Sequence, residues 1–128
     1  MLGSGLATTR SLHESWAWVV VIGNGLAGLW SLAANWVMPL RTRALWWFIG
    51  AAQLTMFVQV MLGAVLVGRY KYPLPQFHAF YGFVAIIAIA IIYSYRLQMK
   101  HRLYFLYGFG SLFVMGLGIR GMLIAATI

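Results

Sequence analysis

The chain has 128 residues, of which 63% are hydrophobic and 8% charged, with a single acidic residue, Glu14, and a formal net charge of +8. Too few polar side chains are present to cover a water-exposed surface, so the composition excludes an ordinary soluble domain and indicates a membrane protein. The absence of cysteine excludes disulfides, thiolate metal sites and thiol nucleophiles.

Four apolar segments separated by short loops cover nearly the whole chain. They are residues 16–38, 45–68, 77–95 and 103–126. Each is close to the ~20 residues that an α-helix needs to cross a hydrocarbon core of about 30 Å. Because short loops make consecutive helices antiparallel, the sequence predicts an all-α, polytopic membrane protein. It is expected to form one domain of four transmembrane helices in an up-down-up-down bundle.

The ends of these segments carry residues typical of membrane boundaries. Pro39 closes the first segment, and Pro73 and Pro75 lie in the second loop. Tryptophan and tyrosine prefer the headgroup level of a bilayer. Those at segment ends are Trp16, Trp18, Trp36, Trp46, Trp47, Tyr70, Tyr72, Tyr95 and Tyr104. The pattern predicts two aromatic belts.

Basic residues bear on orientation and on partners. The first and third loops lie on one side of the membrane and carry Arg41, Arg43, Arg96, Lys100 and Arg102, whereas the other side carries Arg10, Arg69, Lys71 and Arg120. Cytoplasmic loops are enriched in lysine and arginine. This asymmetry favours a multi-pass protein of the cell membrane with the first and third loops in the cytoplasm and the termini outside. Basic residues at segment ends also suit lipid headgroups, so no nucleic-acid partner is expected.

Small and amide side chains recur at helical spacing in two segments. The first segment has Asn24, Gly28, Ser31 and Asn35, and the fourth has Gly108, Ser111 and Gly118. Small residues let helices approach closely, and amides form hydrogen bonds between helices. We expect both stripes to pack against protein.

The second segment carries two further amides, Gln53 and Gln59. Six residues along a helix place them about 120° apart around its axis. One of the two is therefore expected to face a partner chain.

The chain lacks the residue sets typical of enzymes and transporters. No nucleophile with a base, no carboxylate pair and no phosphate-binding loop is present. No ionisable residue lies at the middle of a segment, which disfavours an ion or proton pathway. The sequence predicts a non-enzymatic protein without a metal site.

Two histidines enter the membrane from the same side. His13 precedes the first segment and His78 opens the third, and odd-numbered helices run parallel. Neutral imidazoles on two helices of a bundle can supply both axial ligands of a haem. Gly82 would leave room for a porphyrin edge. The basic residues near the same surface, which would pair with its propionates, are Arg10, Arg69, Lys71 and Arg120. The alternative is that both histidines are ordinary interfacial residues, as His101 is expected to be.

The second and third segments resemble a known family. The stretch Gln59-Val60-Met61-Leu62-Gly63-Ala64, followed by His78 at the head of the next segment, resembles the helix pair in each half of haem A synthase and in other four-helix b-type cytochromes. The resemblance covers residues 53–95 and implies haem b held by His78 and His13. Two features depart from the family. Its first histidine usually stands in a His-Arg context with an acidic residue upstream, whereas Glu14 follows His13 directly, and its chemistry needs two such halves.

Two functions remain open. The first is a small accessory or assembly subunit without a cofactor, embedded in lipid and packed against other subunits of a respiratory-type membrane complex. The alternative is a b-type haem electron carrier ligated by His13 and His78. In an accessory subunit, the space between the histidines would be filled by aromatic side chains such as Trp16, Trp18, Phe80 or Phe83. A haem protein would instead bring the two imidazoles together beside open space.

Overall fold

The computed structural model describes the backbone of residues 2–71 and 76–126 and the side chains of residues 5–71 and 78–123. These ranges contain helices and turns but no strand. The helices are α1 (Leu2–Trp36), α2 (Arg43–Gly68), α3 (Gln76–Ser94) and α4 (Leu103–Ala126), with short 3-10 turns at Met38–Leu40 and Lys100–Arg102. The predicted loop residues Tyr72, Pro73 and Pro75 lie outside the described residues.

Three of the helices are long and apolar enough to cross a membrane. The three spans are Gly5–Trp36, Arg43–Gly68 and Lys100–Leu123. In α3, the described apolar stretch, His78–Ser94, is shorter. The prediction of an all-helical chain is therefore confirmed, and its helices are consistent with a membrane protein.

Helix α1 begins at Leu2, well before the apolar segment that starts at residue 16. Residues 2–36 contain no proline, so nothing in the backbone interrupts the helix. At its other end, Arg41 binds carbonyl groups of the last turn, with Nε 2.6 Å from the Ala34 oxygen and Nη2 2.6 Å from the Asn35 oxygen. Helix α2 then starts after Thr42, whose hydroxyl accepts a hydrogen bond from the Leu45 amide.

The helices pack in the spatial order α2, α1, α4, α3. Helix α1 packs mainly on α4 and α2, and α3 packs mainly on α4. Helices α2 and α3 touch only lightly, although they are consecutive in the chain. Cross-helix pairs such as Trp16 with Thr55 and Asn24 with Ala52 show that α1 and α2 run antiparallel.

Large apolar side chains lie on the outside as well as in the core. The core includes Val20, Ala27, Leu45, Ile49, Ala85, Ile89 and Val114. Many others are exposed, such as Leu29, Trp47 and Phe109. An apolar exterior of this kind suits a protein whose solvent is lipid.

The interface between α1 and α4, called the seam, contains Gly28 and Ser31 of α1 and Gly108, Ser111 and Gly118 of α4. Asn24, also on the α1 stripe, is buried and bonds to α2. A Cβ at Gly28 would lie 2.9 Å from the carbonyl oxygen of Gly108, and one at Gly108 would lie 2.6 Å from Cγ of Leu32. Such short distances mean that these backbones approach too closely for any side chain.

Hydrogen bonds from small polar residues support this region. The Ser31 hydroxyl donates to the Tyr104 carbonyl (2.9 Å), and the Asn24 amide donates to the carbonyls of Val20 (2.9 Å) and Ala52 (3.2 Å). Asn35, the last member of the α1 stripe, is half-buried and contributes its carbonyl to Arg41.

Candidate histidine site

His13 of α1 and His78 of α3 lie side by side. Their ring centroids are 5.9 Å apart, and the ring planes are nearly perpendicular, at 80°. Both side chains are half-buried. The structure thus brings together the two residues that the sequence analysis singled out as candidate ligands.

The His78 ring is held by helix α4. Its Nδ1 lies 3.0 Å from the carbonyl oxygen of Gly121, which can only accept a hydrogen bond. In this hydrogen bond Nδ1 is the donor, so in the neutral ring Nε2 keeps its lone pair. A side chain at Gly121 would contact this ring, because a Cβ there would lie 3.8 Å from Nδ1.

His13 is held by helix α2. The side-chain amide of Gln59 donates to the His13 carbonyl at 2.8 Å. One turn further along the same face of α2, a Cβ at Gly63 would lie only 3.3 Å from Cε1 of the His13 ring. The glutamine and the glycine of the family-like stretch, residues 59–64, therefore both lie next to His13.

One nitrogen of His13 lacks a partner. Within the described residues, Nδ1 of His13 is buried and makes no hydrogen bond, and the same holds for Oε1 of Gln59. Buried polar atoms nearly always pair, so an unpaired one needs an explanation. A group that enters between the histidines would change the environment of both atoms.

The glycine and the aromatic residues expected around the pair differ in their surroundings. Nothing lies within 4 Å of a Cβ placed on Gly82, one turn after His78. Trp18, Phe80 and Phe83 are 59%, 57% and 66% exposed and point away from the interior. Trp16 is half-buried, and its indole donates to the Thr55 carbonyl at 2.8 Å. Three of the four aromatic side chains expected between the histidines are thus exposed, and the fourth bonds to α2.

Basic residues surround this end of the bundle. Arg10 forms an exposed ion pair with Glu14 at 3.1 Å. The guanidinium groups of Arg120 and Arg69 lie over the rings of Tyr81 (6.0 Å) and Tyr70 (5.6 Å), and Lys71 is exposed. The expected propionate partners thus lie at the histidine end, and none of them is buried.

Among the described residues, the donor set at this end of the bundle consists of two imidazoles. No group of three or more histidine, cysteine or acidic side chains that could hold a metal ion occurs among the described residues. Two imidazoles that ligate one iron from opposite faces, at about 2 Å per bond, have ring centres about 6 Å apart. The observed separation of 5.9 Å is close to this value.

Comparison of the chain with protein families, with characterised proteins and with solved structures finds no match.

Three contacts of the site were not foreseen from the sequence. Gln59 was predicted to be a packing or partner-facing amide and the first residue of the family-like stretch, but not a partner of His13. Gly121 was not singled out. The spacing of Gln59 and Gly63, four residues apart, was the one available signal that both face the same neighbour. The bond between His78 and Gly121 depends on the depth at which α3 and α4 meet, which no sequence pattern encodes.

Proposed function

We propose that this chain is a small, non-enzymatic b-type haem protein of the membrane, an electron carrier in which His13 and His78 are the axial ligands. The observation that carries the proposal is the pair of imidazoles 5.9 Å apart. The tautomer of His78 supports it, because Nδ1 is bound to a carbonyl and Nε2 is left to ligate.

We also propose that α3 is the fourth transmembrane span. Its 19 residues correspond to about 28 Å of helix, close to the thickness of a hydrocarbon core. All four helices would then cross the bilayer, with the histidines near one surface.

Haem, when bound, supplies one-electron oxidation and reduction. The residues of the chain would prepare its site in three ways. Gly121 fixes the orientation of His78, and Gln59 ties α1 to α2 at the level of His13. Gly63 keeps a side chain away from the His13 ring, and Gly82, one turn after His78, leaves open space on α3. The basic residues at the exposed end provide the positive charge that carboxylates of the cofactor require.

The test is a titration of the detergent-purified protein with ferric haem, followed by absorption spectroscopy of the oxidised and dithionite-reduced forms. We expect one haem per chain and the spectrum of a six-coordinate low-spin iron. His13→Gly and His78→Gly should each lose this spectrum, and added imidazole should restore it by taking the place of the missing ring. The control is His101→Gly, which removes an exposed histidine of the third loop.

Failure to bind haem would contradict the proposal, as would unchanged spectra in both glycine variants. Helical content measured by circular dichroism separates loss of the ligand from loss of the fold.

The second candidate is an accessory or assembly subunit of a respiratory-type complex. It is favoured by an open apolar groove of about 480 Å³ between α3 and α4, lined by residues that include Ile87, Ile91, Phe105, Phe109 and Phe113. Deletion of the gene would then reduce the assembled amount of one respiratory complex on native gels. Expression of the His13→Gly variant in the deletion strain should restore assembly if the chain is an accessory subunit. An electron carrier would not regain its function with this variant, because it needs both histidines.

For orientation, we propose that the first and third loops face the cytoplasm. The basic residues Arg41, Arg43, Arg96, Lys100 and Arg102 at this end are the basis of the proposal. A periplasmic reporter such as alkaline phosphatase, fused after Ile128, should then be active. Activity of a cytoplasmic reporter at the same position would reverse the orientation.

A further inference from the structure

A second pocket lies at the end of the bundle opposite the histidines. It has a volume of about 330 Å³ and is lined by Trp46, Arg96, Leu97, Lys100, Leu103 and Tyr107. Its residues come from α2, from α4 and from the loop between α3 and α4. The pocket therefore lies where α2 approaches the α3–α4 hairpin.

The walls of this pocket are mainly apolar. The ring of Trp46 meets that of Tyr107 edge to face, with centroids 5.4 Å apart and planes at 84°, and Tyr107 is nearly buried. Leu103 continues the apolar surface along the first turn of α4. Such a surface suits a hydrocarbon chain.

The mouth of the pocket is positively charged. Arg96 is oriented by a hydrogen bond from Nη1 to the Tyr93 carbonyl (3.0 Å) and lies 3.8 Å over the Tyr93 ring. Lys100 is exposed at the same mouth. The only acidic residue of the chain, Glu14, lies at the histidine end, so no carboxylate neutralises these two cations.

We propose that this pocket binds an anionic phospholipid. The phosphate-bearing headgroup lies between Arg96 and Lys100, and an acyl chain lies along Trp46, Leu103 and Tyr107. A pocket with cations at the mouth and an apolar floor matches the two ends of this molecule, and basic pockets between transmembrane helices bind such headgroups. The two cations at the mouth favour this anionic occupant over an apolar helix of a partner protein.

The test is thermal unfolding of the purified protein in neutral detergent with added lipid. Phosphatidylglycerol should raise the unfolding temperature by about 4 °C, because a ligand that binds only the folded state stabilises it. Phosphatidylcholine with the same acyl chains should produce almost no shift. Native mass spectrometry should retain one phosphatidylglycerol per chain.

Three variants locate the site. Lys100→Gln should weaken phosphatidylglycerol binding about fivefold, the effect of removing about 1 kcal/mol of headgroup attraction. Lys100→Arg should restore it. The matched control is Arg102→Gln, which removes the same charge from the same loop but does not line the pocket.

Each remaining outcome has a definite meaning. If Lys100→Gln and Arg102→Gln weaken phosphatidylglycerol binding equally, the lipid is attracted to the whole basic end and not to this pocket, which would overturn the proposal. An equal rise of the unfolding temperature with phosphatidylcholine would show that the negative charge of the headgroup is not recognised, and would overturn the proposal. An equal shift with inorganic phosphate, or with dihexanoyl phosphatidylglycerol at the same concentration, would overturn the role of the acyl chain. All variants should unfold at the wild-type temperature without lipid, because Lys100 and Arg102 are exposed.

Discussion

The seam between α1 and α4 differs from the opposite side of the bundle, where α2 meets α3. At the seam, the backbones of Gly28 and Gly108 are so close that neither position has room for a Cβ. On the other side, α2 and α3 touch only lightly, and the half-buried His13 and His78 lie between α1 and α3 at one end. The backbones of α1 and α4 are thus in close contact, whereas the contact between α2 and α3 is slight.

Unpaired polar atoms alone do not distinguish the two regions. Ser111 of the seam also has a buried oxygen without a partner in the described part of the chain, as does the side-chain oxygen of Asn24. What is specific to the histidine end is that its unpaired nitrogen belongs to a ring that faces a second imidazole. Among the described residues with an unpaired buried side-chain atom, His13 is the only one with an imidazole.

The largest effect is expected from Gly28→Leu. A leucine there collides with the carbonyl of Gly108 and with Leu112, so α1 and α4 must separate. We expect a loss of more than about 3 kcal/mol in the free energy of unfolding, measured by denaturation in detergent. The control is Gly116→Leu on α4, where a Cβ meets nothing within 4 Å. Equal stability of the two variants would show that the seam is not the main packing interface.

The second-largest effect is expected on haem affinity at the histidine end of the bundle. Gly63→Val places methyl groups against the His13 ring, since a Cβ already lies 3.3 Å from Cε1. Haem affinity should fall about tenfold, which corresponds to about 1.4 kcal/mol. Gly50→Val on the same helix has open space and serves as the control. If both variants bind haem as the wild type does, Gly63 has no role in the site.

A smaller effect separates the two glutamines of α2. Gln59→Leu removes the hydrogen bond to the His13 carbonyl and should cost about 1 kcal/mol of stability. Gln53→Leu should be neutral or stabilising, because the buried Nε2 of Gln53 has no partner within the described residues. Chemical denaturation of both variants measures the difference. The opposite order would mean that Gln53, and not Gln59, holds the helices together.

The smallest effect is expected at the surface. Arg10 and Glu14 form an exposed pair one turn apart on α1, with side chains 54% and 64% exposed. Glu14→Gln should change the free energy of unfolding by less than about 0.5 kcal/mol. A loss above 1 kcal/mol in the same denaturation assay would show that the only acidic residue has a structural role.

The sequence predicted the number and approximate positions of the helices, because the apolar segments are clear and prolines or charges separate them. It did not predict the start of α1, since residues 2–15 can continue a helix without being apolar. The order of packing was equally inaccessible. Short loops make consecutive helices antiparallel, but they do not determine whether α2 packs on α3 or on a different helix.

For the candidate site, too, the sequence predicted positions along the chain but not contacts between helices. The parallel direction of the first and third helices indicated that His13 and His78 lie at similar depth. The contacts of these residues with Gln59 and Gly121 depend on the rotation and shift of each helix. Those two quantities are set by side-chain packing across the whole interface, so single residues do not reveal them.

The central claim is that both imidazoles can ligate one iron, and electron paramagnetic resonance of the ferric, haem-loaded protein tests it most directly. Two axial histidines give a low-spin signal, and ring planes near 80° predict a strongly anisotropic one. A high-spin signal in the wild type, equal to that of the His13→Gly variant, would contradict the claim because it would leave only one histidine on the iron.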